Sequence, residues 1–264
     1  MSVRKLLRTS QSFFPRLRDM KASVQRRLVA ARPTLYDEAF DVLRFFPAGS
    51  ATILDVGANQ GVTIAGFAAY PATRRIIGFE PNPVLAAKLA RRFRPDERIV
   101  IEPRGLGDGA SSGKLFIPTY RGYEYDGLGS LHEAAARDWI SAERMYLFDP
   151  SRLRVTAYDV DVVGLDSLDL GRVDLIKLQI QGHEHAALLG ARRTIARDWP
   201  LILIAYAQIH AEARRLLAEL GYTEQQLNRG SLEPWQGRNL FCIFVPPQGS
   251  ARWAGLAADR GGAA

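Results

Sequence analysis

The chain has 264 residues, of which 47% are hydrophobic, and a net charge of +7. This length suits one large domain with a sizeable core. The single cysteine, Cys242, excludes an intrachain disulfide and a thiolate metal cluster. It lies in an apolar run at 240–245, which predicts a buried core thiol. One cysteine fits a reducing compartment. We therefore expect a cytoplasmic location, with peripheral binding to a membrane as a second option.

The positive charge belongs to residues 1–32, a basic N-terminal arm. The arm has nine lysines and arginines against one acid, Asp19, a net charge of +8 that leaves −1 for the rest of the chain. The domain itself is therefore not basic, and a nucleic-acid partner is not indicated. No run reaches the ~18 apolar residues that span a bilayer.

Within the arm, Leu17, Met20, Val24 and Leu28 keep the spacing of an amphipathic helix. One interpretation is peripheral contact of the arm with an anionic membrane surface or an acidic partner. The other, which we prefer, is a helix packed on the domain with a solvated basic face.

Strands and helices alternate through residues 33–247, which we predict to be one domain, and 248–264 read as a loose tail. The alternation predicts an α/β fold with a mostly parallel sheet covered by helices on both faces. Residues 119–150, rich in glycine and aromatics, are predicted to be a substrate-side insertion or lid. The predicted strands are Ile53–Val56, Arg75–Phe79, Arg98–Glu102, Lys114–Pro118, Leu153–Val163, Val173–Ile180, Leu201–Tyr206, Gly221–Thr223 and Leu240–Pro246, and the main helices Tyr36–Phe46, Gly61–Tyr70, Val84–Phe93, Glu184–Ala196 and His210–Leu220.

A glycine loop follows the first of these strands. Asp55 ends the strand, Gly57 and Gly61 bracket the loop, and Glu80 ends the next strand. A strand, glycine loop, helix, strand and acid in this order are typical of a site for the ribose of a nucleoside-type cofactor. The alternative is a plain βαβ unit with turn glycines and a surface glutamate.

The loop lacks the third glycine of the dinucleotide pattern G-x-G-x-x-G, and its acid precedes it. It looks like the first motif of class I S-adenosylmethionine-dependent methyltransferases. Further blocks extend the likeness, and the sequence resembles the FkbM-type branch of that class, whose members methylate hydroxyls of sugars, polyketides and other small molecules. The blocks are 54–61, 78–83, 105–108, 129–131, 164–168 and 173–184, within roughly residues 50–245.

The resemblance implies the Rossmann-like class I methyltransferase fold, with a mostly parallel central sheet and an antiparallel last strand. It also implies the cofactor roles of single residues. Asp55 and Gly57 would lie by the methionine part of S-adenosylmethionine, in one loop with Asn59 and Gly61, and Glu80 would bind the ribose. The remaining implied contacts are Asn82 next to Glu80, with Leu106 and Asp108 over the adenine. For Asp108, a simple turn residue is the alternative.

The chain departs from the family where the methyl group would lie. The family usually has Lys-Ile-Asp-Val-Glu-Gly where this chain has Lys-Leu-Gln179-Ile-Gln181-Gly, and Ala205 stands where a glutamate is frequent. Amides neither bind a divalent ion well nor remove a proton, but they hydrogen-bond a hydroxyl. We therefore expect no metal.

Histidine is the candidate base in place of these acids, because it titrates near neutral pH. His183 directly follows the altered segment, and His185 and His210 are weaker candidates. Capping or surface roles are the alternative for each. His183 and His185, two apart, do not share a helix face, which argues against a metal cluster.

The sequence thus predicts O-methylation of a small molecule or glycan, with S-adenosylmethionine as cofactor, His183, Gln179 and Gln181 at the reacting end, and no resident metal. One alternative is a cofactor-binding module without turnover that acts through partners. A second is a nicotinamide-dependent oxidoreductase, disfavoured by the missing glycine.

Overall fold

A sheet of eight strands forms the centre of the molecule. The structure, a computed structural model, describes residues 3–15, 17–205 and 209–247. In chain order the strands are β1 (Ala51–Val56), β2 (Thr73–Phe79), β3 (Ile99–Glu102), β4 (Gly105–Leu106), β5 (Ser111–Tyr120), β6 (Tyr123–Glu124), β7 (Leu153–Val163), β8 (Leu175–Leu178), β9 (Leu201–Ala205), β10 (Thr223–Asn228), β11 (Ser231–Pro234) and β12 (Phe241–Val245).

The central sheet has the order β11-β10-β12-β9-β8-β1-β2-β3. The strands from β9 to β3 pair in parallel, and β12 pairs antiparallel with both β9 and β10. The predicted α/β class, with a mostly parallel sheet and an antiparallel last strand, is confirmed. Buried Cys242 lies on β12, as predicted.

Helices cover both faces of this sheet, and apolar clusters fill the space beneath them. The inner parallel strands β1, β8 and β9 are buried on both faces and consist mostly of apolar residues, with Asp55 and Lys177 among the buried polar ones. The helices are α1 (Val3–Phe13), α2 (Leu17–Ala31), α3 (Val62–Ala68), α4 (Pro83–Phe93), α5 (Glu133–Asp138), α6 (Glu184–Leu189), α7 (Arg192–Asp198) and α8 (Ala211–Glu219), and 3₁₀ turns run over Pro33–Leu35, Glu38–Phe45, Asp126–Leu128, Pro150–Arg152 and Leu165–Ser167.

The register of β1 determines where the candidate residues meet. Val56, the last residue of β1, pairs with Phe79 at the end of β2 and with Leu178 at the end of β8. The segments after these three strands therefore emerge together at the carboxyl edge of the sheet, where open α/β folds bind ligands.

A second, four-stranded sheet of order β4-β7-β5-β6 lies beside the first, and the sequence did not predict it. The predicted strand Lys114–Pro118 was too short, since β5 runs from Ser111 to Tyr120 and pairs along its length with β7. The turn predicted as a strand at Gly221–Thr223 leads instead into β10, which forms an unpredicted hairpin with β11.

The segment 119–150 is not an irregular loop. It contains β6, a 3₁₀ turn and α5, and its aromatic side chains form a small core of their own with β5 and β7. Tyr120 stacks on Phe148, and Tyr123 packs against Tyr125. Burial of these rings explains why the segment is ordered despite its glycines.

The predicted helix Glu184–Ala196 is wrong as one element, because it breaks into α6 and α7 at Gly190. A Cβ on Gly190 would lie 1.9 Å from the carbonyl oxygen of Gly107. The backbone of the second sheet thus presses against the helix at this residue, and only glycine fits there.

The N-terminal arm is helical and packs on the domain. α2 lies on α3 so closely that a Cβ on Gly66 would come 2.9 Å from Val29. No helix among the described residues is long and apolar enough to cross a membrane. The predicted loose tail at 248–264 and the strand end at Tyr206 lie outside the described residues.

Candidate functional site

The glycine loop after β1 sits against the end of β8. Gly57 has a positive φ of 80°, and a Cβ there would lie 2.2 Å from the carbonyl oxygen of Gln179. The amides of Gly57 and Ala58 both donate to the carbonyl of Phe79, each at 3.0 Å. A side chain at position 57 would push the loop off β8, so the close approach requires glycine.

A fully buried ion pair supports this loop from below. The Nζ of Lys177 lies 2.8 Å from the Asp55 carboxylate, and neither side chain is exposed. Lys177 also donates to the carbonyl of Gly57 at 2.9 Å, and Thr63 donates to Asp55. Asp55 is therefore paired beneath the loop rather than set in the cavity wall, and its direct contact with a cofactor stays a prediction.

Glu80, at the end of β2, is held by two backbone amides. Its carboxylate accepts from the N–H of Asn59 at 2.7 Å and from the N–H of Asn82 at 2.9 Å. Burial raises the pKa of Glu80 to about 7, although these two hydrogen bonds favour the charged form. A carboxylate fixed in this way keeps lone pairs for a ligand hydroxyl.

The side chain of Asn82 caps α4, as its Oδ1 accepts from the amides of Val84 and Leu85. Its Nδ2 is buried and finds no hydrogen-bond partner within the described part of the chain. A buried donor without a partner is costly. Its place beside Glu80 suits a ligand acceptor at this point.

A cavity of about 560 Å³ opens above the strand ends, a size suited to a cofactor or small ligand. Gly61 and Asp108 lie outside its wall. Gly61 has a positive φ and abuts Leu89 and Phe93, and Asp108 is an exposed turn residue, so their contact with a cofactor stays a prediction. The predicted residues in the wall are Gly57, Asn59, Glu80, Asn82, Leu106, Gln179, Gln181 and His183.

The two glutamines at the end of β8 make different bonds. Gln179 accepts from the hydroxyl of Tyr36 at 3.4 Å. Gln181 donates its amide to the carbonyl of Gly127 at 2.7 Å. A carboxylate at 181 would lack this donor, so the amide fastens the 3₁₀ turn Asp126–Leu128 to the strand end.

His183 is the N-cap residue of α6 and lines the cavity, whereas His185 on the same helix does not. The turn before α6 is held by Glu184, which accepts from the amides of Ile180 and Gly182 at 2.9 Å each. His210 lies beside Gly182. Of these three candidates, His183 is the one that lines the cavity, and His132, which the sequence analysis did not consider, lines it as well.

The N-terminal arm forms a wall of the same cavity, which the sequence did not predict. Arg18 pairs with Glu124 and Asp126, both at 3.1 Å, and Gln60 donates to Asp126. Arg26 is buried and donates to the carbonyl of Gln60 at 2.8 Å. The spacing of apolar residues indicated a helix, but no signal in the sequence indicated which surface it covers.

Tyr36 is a second wall residue that the sequence analysis missed. Burial raises its pKa to about 12, and the nearby Asp55 adds to the shift. The phenol therefore stays protonated at neutral pH and acts as a hydrogen-bond donor at the floor of the cavity.

The model of the methyltransferase FkbM domain matches residues 55–224. The chain belongs to this family of methyltransferases. No curated protein matches the chain. The match of the family model confirms the resemblance drawn from the sequence blocks.

Among solved structures, methyltransferase FkbM from Methylobacillus flagellatus KT is 19% identical, with a TM-score of 0.47, over 81% of this chain and 50% of that one. This chain therefore spans half the length of that protein. An rRNA methylase from Streptococcus thermophilus is 12% identical, with a TM-score of 0.41, over 79% of this chain and 94% of that one. Precorrin-6y C5,15-methyltransferase from Geobacter metallireducens GS-15 is 13% identical, with a TM-score of 0.38, over 78% and 84%.

Compared with the family pattern, this chain has the same residue types at one end of the cavity and different ones at the other. Glu80 and the glycine loop follow the pattern, while Gln179, Gln181 and Ala205 replace its acids. Two of these replacements lie in the cavity wall, where they donate or accept hydrogen bonds without a negative charge.

Proposed function

We propose that the chain transfers the methyl group of S-adenosylmethionine to a hydroxyl of a small molecule or glycan. The observation that supports this most is Glu80, fixed by two backbone amides at the edge of a cavity that continues to His183. Membership in a methyltransferase family supports the reaction type.

The residues at the Glu80 end fit the cofactor. Glu80 would accept from the ribose hydroxyls, and the Nδ2 of Asn82, which has no partner among the described residues, would donate beside it. Leu106, buried in the wall, offers apolar surface to an adenine ring. When bound, S-adenosylmethionine supplies an electrophilic sulfonium methyl.

At the other end, His183 would take the proton of the acceptor hydroxyl on its imidazole as the oxygen becomes bonded to carbon. Gln179 and Gln181 would orient that hydroxyl by hydrogen bonds. Methyl transfer is an in-line displacement, so holding the two reactants in line contributes much of the rate without a charged residue.

The test has two stages. Titration with S-adenosylmethionine measures binding, and detection of S-adenosylhomocysteine with a panel of sugars, polyketides and phenols measures turnover. Binding followed by product with a hydroxyl acceptor is the expected result. Binding without product from any acceptor would favour a module that acts through partners, and binding of NAD alone would favour an oxidoreductase.

The role of His183 is tested by His183→Ala, with His185→Ala as the matched control outside the cavity wall. We expect His183→Ala to lower the rate of methyl transfer about 100-fold or more while the Kd for S-adenosylmethionine stays unchanged. An unchanged rate, or an equal loss in both variants, would rule out His183 as the base.

A further inference from the structure

The outer face of α2 is apolar. Met20, Val24 and Leu28 are 57%, 51% and 53% exposed, although each has a large hydrophobic side chain. They recur at intervals of four residues and so form one row along the helix. We call these three residues the apolar stripe.

The stripe points away from the domain. The buried residues of α2 are Ala22, Arg26 and Val29, and at 100° per residue their mean direction is about 165° from that of the stripe. The contacts of Arg26 with the glycine loop and of Val29 with α3 fix this orientation. The helix thus packs inward with an alanine, an arginine and a valine, and leaves its row of large apolar side chains in solvent.

Exposed apolar residues are concentrated in this part of the molecule. Eleven large hydrophobic side chains are exposed in the part of the chain that the structure describes, and six of them belong to the N-terminal arm. Besides the stripe these are Leu6, Phe13 and Phe14. Such a concentration in a segment of 32 residues marks an interaction surface.

Positive charge borders the stripe on both sides. Lys21 and Arg27 lie about 60° to either side of its centre line on the helical wheel. The single acid of α2, Asp19, points about 140° away and pairs with Arg18 and Lys88. Exposed Arg32 follows the helix, and the whole arm has a net charge of +8.

We propose that the outer face of α2 docks on an anionic lipid bilayer. An apolar row flanked by cations is the arrangement of helices that lie in the interface of a membrane, with apolar groups among the acyl chains and cations among the lipid phosphates. The stripe is a convex ridge about 12 Å long, from Met20 to Leu28, which suits insertion between lipids. The proposal does not depend on the reaction that the cavity catalyses.

Docking would bring the cavity close to the membrane, because α2 belongs to both surfaces. Lys21 borders the stripe and also lines the cavity. Arg18 and Gln25, on the same helix, line the cavity as well. An acceptor held in the lipid head-group layer would then meet the wall of the site directly.

The experiment measures binding of the full chain to vesicles by co-sedimentation. Vesicles of phosphatidylcholine alone are compared with vesicles that also contain phosphatidylglycerol, at low and at high salt. We expect binding only to the anionic vesicles and its loss at high salt. Absence of binding to anionic vesicles would overturn the proposal.

Two sets of variants distinguish binding through the stripe from nonspecific hydrophobic adsorption. Met20→Ser/Val24→Ser/Leu28→Ser should reduce binding at least tenfold, whereas Val100→Ser/Leu147→Ser/Leu240→Ser, which changes three exposed apolar residues elsewhere, should bind as the wild type does. All six side chains are at least 40% exposed, so both variants should fold. Equal binding by the stripe variant and the wild type would overturn the proposal.

The charge variants follow the same design. Arg27→Ser/Arg32→Ser should weaken binding roughly fivefold per removed cation. Arg192→Ser/Arg215→Ser, on helices over the opposite face of the sheet, should have little effect. Equal losses in the two variants would indicate a response to net charge alone and contradict a localised surface.

Two further outcomes would reassign the stripe. Binding of soluble polyglutamate as tight as binding to anionic vesicles would indicate an acidic polypeptide as the partner. A wild type that sediments as a dimer beside a monomeric stripe variant would indicate a second copy of this chain. Either result would overturn membrane docking.

Discussion

The two ends of the cavity are built in different ways. At the Glu80 end, buried groups are fixed by backbone amides, by a positive-φ glycine and by the Asp55–Lys177 pair, so the geometry is set before any ligand binds. At the His183 end, the wall comes from the amides of the two glutamines at the end of β8 and from the N-cap residue of α6, whose side chains are half-buried. The Glu80 end is thus held by the core of the fold, whereas the His183 end depends on segments that connect its elements, where binding residues are frequent.

The largest effect is expected from loss of the buried lysine. Lys177→Met leaves the Asp55 carboxylate buried without a countercharge, which should lower the free energy of unfolding by about 3–5 kcal/mol. Urea denaturation measures the change. The double variant Asp55→Asn/Lys177→Met removes both charges and should regain part of the loss. If Lys177→Met were as stable as the wild type, the Glu80 end would not depend on this pair.

A similar test applies to the glycine loop. Gly57→Ala places a side chain on a residue of positive φ and sets its Cβ against the carbonyl oxygen of Gln179. The variant should lose about 3 kcal/mol of stability and most of its affinity for the cofactor. Gly171→Ala is the matched control, since its φ is also positive but no atom lies within 4 Å of its new Cβ. It should cost about 1–2 kcal/mol, from the backbone alone. Equal losses in thermal or urea unfolding would show that the close approach to β8 contributes nothing.

The raised pKa of Glu80 predicts how affinity depends on pH. Ribose hydroxyls donate to the carboxylate, so the Kd for S-adenosylmethionine should rise as pH falls through about 7, by up to tenfold per pH unit. Without ligand the sign is opposite: an acid whose pKa is raised by folding makes the folded state less stable as pH rises from the ordinary glutamate pKa toward about 7. Calorimetric titration between about pH 5.5 and pH 8 measures the first effect. A flat profile in the wild type, equal to that of Glu80→Gln, would contradict it.

The smallest effect distinguishes the two glutamines of the His183 end. Gln181→Glu loses the hydrogen bond to the carbonyl of Gly127 and sets a charge against that oxygen, at a cost of about 1–2 kcal/mol. Gln179→Glu keeps an acceptor for the Tyr36 hydroxyl and should cost less than about 0.5 kcal/mol. Unfolding curves of both variants provide the comparison. A greater loss of stability in Gln179→Glu than in Gln181→Glu would mean that the added negative charge, and not the loss of a hydrogen-bond donor, determines the cost.

The sequence predicted which residues meet at the Glu80 end of the cavity, because their positions depend on local patterns, while their contacts with a cofactor stay predictions. Gly57, Glu80 and Asn82 each follow a short apolar strand, and parallel strands bring their carboxyl ends to one edge. The buried Cys242 followed from the apolar run around it, and the antiparallel last strand followed from the resemblance to the methyltransferase family.

The features that the sequence did not predict depend on contacts between distant segments. The hairpin of β5 and β7 brings together residues that are far apart in the chain, and Gly190 breaks a helix because Gly107 lies against it. The pairing of Asp55 with Lys177 also joins two strands that are far apart in sequence, and it explains why Asp55 lies beneath the loop. For α2, the helix was predicted correctly, but the spacing does not say which side faces inward, and the row of large apolar side chains faces solvent.

The arm that forms a wall of the cavity couples the first helices of the chain to the ligand. Arg18 and Arg26 join α2 to Asp126 and to Gln60, both at the cavity. Any ligand that contacts this wall must stabilise the docked arm by as much as the docked arm stabilises the ligand. Protease digestion of residues 1–32 would then slow when the cavity is filled, which turns the start of the chain into a reporter of occupancy.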